Sequence, residues 1–408
     1  MTSSITVKEA DNIILQNAVD FGVEDVSFLN SVGRILAVDI VADRDMPPYD
    51  RVTMDGIAIR YQAYEDGLRR FKIVGVMAAG DEPVIAQDID QCIEVMTGCT
   101  LPTGLDTIVR YEDVTIEGSQ ATINTDQVKK GSNVHYRGAD KKEHEVVVGK
   151  FQVIDEVVVS VAASVGLVDI KVKKLPRIVV ISTGDELVDV HQTPTPYQIR
   201  RSNNYSIKST LRRFGIEADM LHLDDDIDSI HTGLMSCADA YDVIILSGGV
   251  SMGKFDYIPK ALINAGVNRL FHKVLQKPGK PFWFGHDSTR KLTAFAFPGN
   301  PVSAFLCLYR YFIPWLFKSL SITDTVYCQA VLEQDVQFLP QLQYFLQVVV
   351  RINSTGQLIA RPVEGNGSGD FSNLTVSNAF MELPAEKNYF KKGEVYKIIP
   401  FKTILSHG

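Results

Sequence analysis

The sequence predicts a multidomain protein of the α/β and β classes, organised around a central, mostly parallel α/β sheet. Three observations carry this. Between residues 175 and 320, short β-branched runs alternate with amphipathic helical patterns, the pattern of repeated βα units. Before and after that stretch lie short β-rich segments broken by Gly, Pro and Asp, which suit small β domains. The length, 408 residues, exceeds the ~100–200 residues that one core ordinarily holds.

In chain order, Thr6-Val7-Lys8-Glu9 is a capping-box pattern, in which the Thr hydroxyl and the Glu carboxylate satisfy the first free N–H groups of a helix. Ala10, Ile13, Ile14, Ala18 and Val19 follow as its apolar stripe. After Arg34 come β-rich segments at 71–76, 91–96 and 107–111, which predict a small β domain over 42–140. Residues 153–166 turn helical again and are expected to pack back on the N-terminal helix, so that 1–41 and 141–174 form one unit. A break at 171–176 opens the α/β domain, 175–320. Its strands are predicted at 178–181, 218–223, 243–246 and 292–297, and its helices at 205–214, 229–240, 258–265 and 302–316. From 321 to 408 the residues are β-branched and turn-rich again, with strands at 347–352 and 395–399, which suits a β-barrel-like domain. No internal repeat is visible.

The formal net charge of −8 argues against nucleic acid, which needs a basic face. Met1-Thr2-Ser3-Ser4-Ile5-Thr6 has neither a basic nor an apolar targeting region, and no apolar run reaches the ~20 residues of a membrane helix. The five cysteines are odd in number and lack C-x-x-C spacing. They read as buried thiols in a reducing cytoplasm, with neither disulfides nor a zinc site expected.

Polar residues recur where the predicted strands end. The first ends in Ser182-Thr183-Gly184-Asp185-Glu186, the second in Asp224-Asp225-Asp226, and the third in Ser247-Gly248-Gly249-Val250-Ser251, followed by Asp256. Lys273, Lys277 and Lys280 come next, and the last strand runs into Pro298-Gly299-Asn300-Pro301-Val302-Ser303. Taken singly, the acids fit helix N-caps, the glycines fit turns and the lysines fit solvated charges. Taken together they crowd one sheet edge, where ligands of open α/β sheets bind. Carboxylates at close range there repel by ~1–4 kcal/mol per pair, depending on the dielectric. Mg²⁺ would offset that, since it prefers oxygen ligands and shares them with phosphates. The residues by themselves therefore predict a metal-assisted site for a phosphate-bearing small molecule.

These segments resemble the molybdopterin molybdenumtransferase family, which includes the C-terminal enzyme domain of gephyrin. The resemblance extends to Asp45-Met46-Pro47 with Met54-Asp55-Gly56-Ile57-Ala58, to Met96-Thr97-Gly98 with Pro102, Gly104 and Asp106, and to residues 131–140. It spans residues from about 5 to 405. It implies Mg²⁺-dependent insertion of molybdate into adenylyl-molybdopterin with release of AMP. The central domain would be of the molybdopterin-binding type. Asp55, Thr97, Asp140, Glu186, Lys273 and Lys277 match the family's catalytic positions, and Glu186, Asp225 and Asp256 its metal positions. Asp225, Ser247, Gly248, Gly249, Ser251, Lys280, Pro298, Pro301, Ser303 and Ser368 match cofactor-binding positions. The resemblance also implies a homodimer, with 1–41 and 141–174 as its core and Asp55, Thr97 and Asp140 serving the partner's cleft. The molybdopterin adenylyltransferase is a candidate partner.

Three positions depart from the family pattern. His135 and Gln347 stand where arginine is common, and Arg201-Ser202-Asn203 replaces Asp-Ser-Asn. These changes bear on oxyanion affinity more than on the fold. Two other readings are a non-catalytic scaffold of the same fold and an adenylyltransferase acting one step earlier. The intact acid set disfavours the first, and the flanking domains disfavour the second. Glu186→Ala and Asp256→Ala are expected to cut molybdate-dependent AMP release strongly while far-UV circular dichroism stays unchanged, because both residues sit at exposed strand ends.

Overall fold

A computed structural model of the chain describes residues 4–250, 257–322, 328–365 and 367–404. At its centre is a six-stranded sheet. Across the sheet the strands are Asp219–Leu223, Ile178–Thr183, Val243–Ser247, Leu292–Phe297, Trp283–Asp287 and Asn268–His272. The first four run parallel. Trp283–Asp287 runs antiparallel to both of its neighbours, which returns Asn268–His272 to the common direction.

Alternation along each strand explains the layers. Val180, Ile245, Phe295 and Phe297 face one side, against Ile207, Leu211, Trp315 and Leu316. Val179, Ile181, Ile244, Leu246 and Ala296 face the other, against Ile230, Leu234 and Leu262. Strands buried on both faces must be nearly continuous apolar runs, and for that reason Ile178–Thr183, Val243–Ser247 and Leu292–Phe297 were legible in the sequence. Trp283–Asp287 and Asn268–His272 were not. Gly285 interrupts the first, and a Cβ there would lie 2.7 Å from the Asn268 carbonyl oxygen. The register shifts between Arg269 and Phe271 in the second.

The helix expected over 302–316 is three segments. Pro301–Cys307 and Ile313–Ser319 are α-helical, and Leu308–Phe312 between them is a π-turn. Pro314 lacks the N–H that would complete the α ladder at this point, and a π-turn accommodates the missing bond.

The N-terminal helix Val7–Gln16 has the predicted capping box, with the Glu9 N–H donating to Thr6 Oγ1 at 3.2 Å and the Thr6 N–H to Glu9 Oε2 at 2.7 Å. Its packing differs from expectation. Val7, Ala10, Ile14 and Val19 are buried in the α/β core, and Trp315 Nε1 donates to the Asn17 carbonyl at 2.9 Å. The helix Glu156–Ser164 packs elsewhere, with Leu36, Ile40, Val148 and Ile154. Beside it Val23–Ser27 pairs antiparallel with Asp169–Lys173. The apolar stripe of the first helix is thus covered within the chain, because the aromatic flank of the α/β domain offers it the larger apolar face.

Gly56–Ile59, Arg70–Met77, Gln91–Val95, Thr107–Arg110, Val114–Glu117 and Gln120–Ile123 form a separate six-stranded sheet. Near the C-terminus, Gln343–Ile352, Leu358–Pro362, Gln329–Leu332, Val395–Pro400 and Ala379–Leu383 pair in that order, and the last pairs back with the first. That closes a five-stranded barrel. Gln276–Lys277, a segment of the α/β region, pairs parallel with Gln343–Tyr344 on its outside. Cys92, Cys99, Cys237 and Cys307 are buried, Cys328 is half-buried, and all are free thiols. Among the described residues no helix is long and apolar enough to cross a membrane.

One buried ion cluster joins the N-terminal helix, the π-turn and the barrel. Arg310 donates to both carboxylate oxygens of Asp11 at 2.6 Å and to Glu382 Oε1 at 3.3 Å, with 8% of its side chain exposed. Burial holds the Asp11 carboxyl above its usual range even against the opposing Arg310 charge. Removing the cation takes the charge partner from half-buried Asp11 and leaves Glu382 to Lys397, 3.7 Å away. Arg310→Ala is expected to cost about 3–5 kcal/mol. Both tryptophans, Trp283 and Trp315, are buried in the α/β core, so urea unfolding followed by tryptophan fluorescence reads this domain; a loss below ~1 kcal/mol, the level of an exposed pair, would contradict the cluster's role.

Candidate active site

The carboxyl ends of the parallel strands meet at one edge. Thr183 ends the strand Ile178–Thr183, and the chain turns at Gly184, whose φ is +126°. A Cβ at Gly184 would lie 2.4 Å from Glu186 Oε2, so the Glu186 carboxylate folds back over the glycine. On the neighbouring strand end, the Asp225 N–H donates to Asp185 Oδ1 at 3.0 Å and ties the two turns together. Asp226 caps the helix Ile227–Ala240, accepting from the Ser229 N–H at 2.8 Å, the ordinary structural use of such an acid. Ser247 is nearly buried and its Oγ accepts from Asn203 Nδ2 at 2.7 Å. Gly248 and Gly249 have φ of +104° and +65°. A Cβ at Gly249 would sit 2.6 Å from Ile258 Cγ1, so the turn has no room for a side chain.

A cavity of about 740 Å³ opens over this edge, lined by Glu186, Arg201, Asn203, Ser247, Gly248, Asn300 and Pro301 among others. A second, of about 340 Å³, shares Asn300 with it and is lined by Lys277, Lys280, Pro298, Ser303, Gln347 and Ser368 among others. Both are within the size range of small-molecule sites. The wall between them is built from the last α/β strand end and the C-terminal region. Asn300 precedes the helix Pro301–Cys307, and its Nδ2 donates to Ser368 Oγ at 2.8 Å. The Val302 N–H donates to the Ser368 carbonyl at 3.1 Å. Gly367-Ser368-Gly369 therefore docks against the helix start.

Gln276 sets the lysine wall. It is fully buried, donates from Nε2 to the Pro278 and Gly279 carbonyls at 3.2 Å, and accepts the Tyr311 hydroxyl. Lys277 projects from this segment, its Nζ 5.6 Å from the Phe338 ring centroid. Gln347 accepts from Ser377 Oγ at 3.4 Å, so no guanidinium takes that place.

Of the residues expected at the site, Glu186, Ser247, Gly248 and Pro301 line the larger cavity. Lys277, Lys280, Pro298, Ser303 and Ser368 line the smaller one. Asp225, Gly249 and Lys273 line neither. Lys273 follows the edge strand Asn268–His272, beyond the antiparallel strand. Ser251 and Asp256 lie outside the described residues. Asp55, Thr97 and Asp140 line neither cavity. Asp55 Oδ1 accepts from the Thr97 N–H at 2.6 Å and from its hydroxyl at 2.7 Å, which holds the Asp55 carboxyl below its usual range. Asp140 Oδ1 lies 3.0 Å from His135 Nε2.

Sequence reasoning passed over Asn203, Asn300 and Gln276 as site builders. All three lay inside the segments read for site chemistry, where the charged residues and glycines drew the assignment. Arg201, the reversed charge, pairs with Asp189. Burial pushes the Asp189 carboxyl up, but the Val190 N–H, the Tyr205 hydroxyl and Arg201 outweigh it and hold it low. The extra cation is thus largely neutralised within the chain.

Among the described residues no group of three or more His, Cys, Asp or Glu side chains converges to hold a metal. The donor chemistry, carboxylates Glu186 and Asp225 on adjacent strand ends, fits a Mg²⁺ that shares phosphate oxygens, since that ion usually takes only one or two carboxylates from a protein.

Three family models match the chain in order. These are the MoeA N-terminal region (domain I and II) over residues 5–166, a probable molybdopterin binding domain over 179–318, and the MoeA C-terminal region (domain IV) over 329–401. A molybdopterin molybdenumtransferase of Synechocystis sp. is 38% identical over 96% of this chain and 98% of its own length. One of Staphylococcus epidermidis is 29% identical over 97% of this chain and 95% of its own. Among solved structures, a molybdopterin biosynthesis MoeA protein of Pyrococcus horikoshii superposes with a TM-score of 0.82 at 26% identity, covering 98% of this chain and 100% of that one. Another structure from the same organism reaches a TM-score of 0.85 at 24% identity with the same coverage, a likeness of fold. The adjoining cavities, the strand-end motifs around them and the full-length match to these relatives lead to one conclusion: the chain belongs to the molybdopterin molybdenumtransferase family.

Proposed function

We propose that this chain inserts molybdate into adenylyl-molybdopterin, releasing AMP and leaving molybdenum on the dithiolene sulfurs. One observation carries the reading. Two cavities meet at Asn300, one lined by Glu186, Arg200, Arg201 and strand-end glycines, the other by Lys277, Lys280 and the hydroxyls of Ser303 and Ser368. A two-part reaction needs such a pair. The larger cavity suits the nucleotide-bearing pterin, whose phosphates approach closely where Gly248 carries no side chain. The smaller suits the molybdate oxyanion, held by lysine point charges and hydroxyl donors.

Glu186, Asp225 and Asp256 would hold Mg²⁺, which would neutralise charge on the phosphate as AMP leaves. The chain's own contribution is orientation. Asn203 and Ser247 fix the floor of the nucleotide cavity, and Gln276 and Asn300 hold the two walls at a set distance. Asp55, Thr97 and Asp140 line neither cavity of their own chain, which supports a homodimer in which they reach the cleft of a second copy. Free thiols throughout suit a reducing cytoplasm. An adenylyltransferase acting on the pterin dithiolene is the partner that would supply the substrate.

Following AMP release from adenylyl-molybdopterin with and without molybdate tests the reading. Molybdate-dependent release is expected; tight binding without release would instead indicate a scaffold. Lys277→Ala should raise the molybdate requirement about tenfold, the worth of one charge-assisted contact. Gly184→Ala should weaken nucleotide binding in calorimetry, because its Cβ displaces the Glu186 carboxylate. Asp55→Ala and Glu186→Ala, each inactive alone, should regain about a quarter of wild-type activity when mixed and allowed to exchange subunits, since a shared dimer site rebuilds one intact cleft per hybrid. No recovery on mixing would place each cleft within a single chain.

A further inference from the structure

Arg51 and His135 are direct partners on the antiparallel ribbon of Arg51–Val52 with Val134–His135. Residues opposite each other in this way have Cβ atoms about 4.5–5.5 Å apart, so backbone register alone brings the two side chains together. Arg51 Nη2 lies 3.1 Å from His135 Nδ1, and His135 Nε2 lies 3.0 Å from Asp140 Oδ1. Both ends stand on ordered backbone. Arg51 bridges to Thr100, and the Asp140 N–H donates to the Met46 carbonyl at 2.9 Å.

Donor and acceptor chemistry fixes the proton. A guanidinium can only donate. His135 Nδ1 must therefore accept from Arg51 and carries no hydrogen. The ring proton sits on Nε2, where it donates to the Asp140 carboxylate. Placing a second proton on Nδ1 would break the Arg51 bond and set two cations face to face.

We propose that Arg51 and His135 are positioning residues for Asp140, a relay in which the guanidinium selects the imidazole tautomer and the imidazole N–H orients the carboxylate. The proposal deepens the reading of Asp140 as a group of the active cleft and rests on it. It assigns a role to Arg51, which no sequence motif singled out. It also couples positions 51 and 135, because an arginine at 135 would oppose Arg51 across the ribbon, and like charges directly opposite are destabilising. With Arg51 removed, an arginine at 135 would reach Asp140 unopposed.

The test uses the full-length protein, AMP release and ¹⁵N NMR of the His135 ring. In the wild type the ring is expected as the Nε2–H tautomer, and in Arg51→Ala as a mixture of the two. Arg51→Ala and His135→Ala should each lower kcat/KM about tenfold, as loss of a charge-assisted contact does. The double variant R51A/H135A should be no worse than His135→Ala, and R51A/H135R should recover most of the activity. An Nδ1–H tautomer in the wild type would overturn the relay, as would multiplicative losses in R51A/H135A or no recovery in R51A/H135R. Asp140→Asn separates the two levels. If that variant keeps full activity, the reading of Asp140 fails, while the tautomer in wild type and Arg51→Ala still decides the relay.

Discussion

The geometry of the cleft hangs on a short segment, Gln276–Lys277, that leaves the α/β sheet and becomes the outermost strand of the barrel's sheet. A backbone pairing with Gln343–Tyr344 cannot slide by one residue without turning Lys277 to the opposite face. The buried amide of Gln276 closes the arrangement by holding the Pro278 and Gly279 carbonyls from inside. An unsatisfied amide at that depth would cost about 1–3 kcal/mol, so alternative positions of the lysine loop are disfavoured. From the other side, Ser368 docks on Asn300 and Val302. Two independent ties therefore bind the barrel to the sheet edge, and the smaller cavity is the space left between them.

Charge in this chain is handled locally. Arg201 reverses a sign expected from the family pattern, and Asp189 takes it up beside Tyr205. His135 supplies no fixed charge of its own, and Arg51 stands next to it on the paired strand. Gln347 brings no cation to the smaller cavity, which leaves Lys277 and Lys280 as the cations among the lining residues. Of the three substitutions, the Arg201 charge is taken up by Asp189 twelve residues away, His135 has Arg51 beside it from 84 residues away, and Gln347 stands without a replacement cation. Arg310 follows the same rule on a structural scale, with acids from the N-terminal helix and the barrel converging on it.

The parallel strands, the helices between them and the β character of the flanks were legible because burial imposes short-range patterns. Ile178–Thr183 and Leu292–Phe297 are buried throughout, which favours runs that are mostly apolar. Trp283–Asp287 was hidden by its glycine, and the π-turn at Leu308–Phe312 is a backbone adjustment with no periodicity of its own. The N-terminal helix was legible as a helix, but its partner was not. An amphipathic stripe announces that it will be buried without saying against what, and here it lies on the α/β core and not on the helix Glu156–Ser164.

The sequence by itself determined the chemistry available: oxygen donors, glycine turns and lysines at strand ends, in an order that identifies the family. Those features are local, set by residue type and by spacing of a few positions. Only the tertiary structure decided which groups meet. It divided Glu186 from Lys277 by the Asn300 wall, spent Asp226 on a helix cap, and paired Arg51 with His135 across 84 residues of chain. Such meetings depend on strand register and domain docking, which arise from the summed packing of surfaces and leave no mark on any single stretch of sequence.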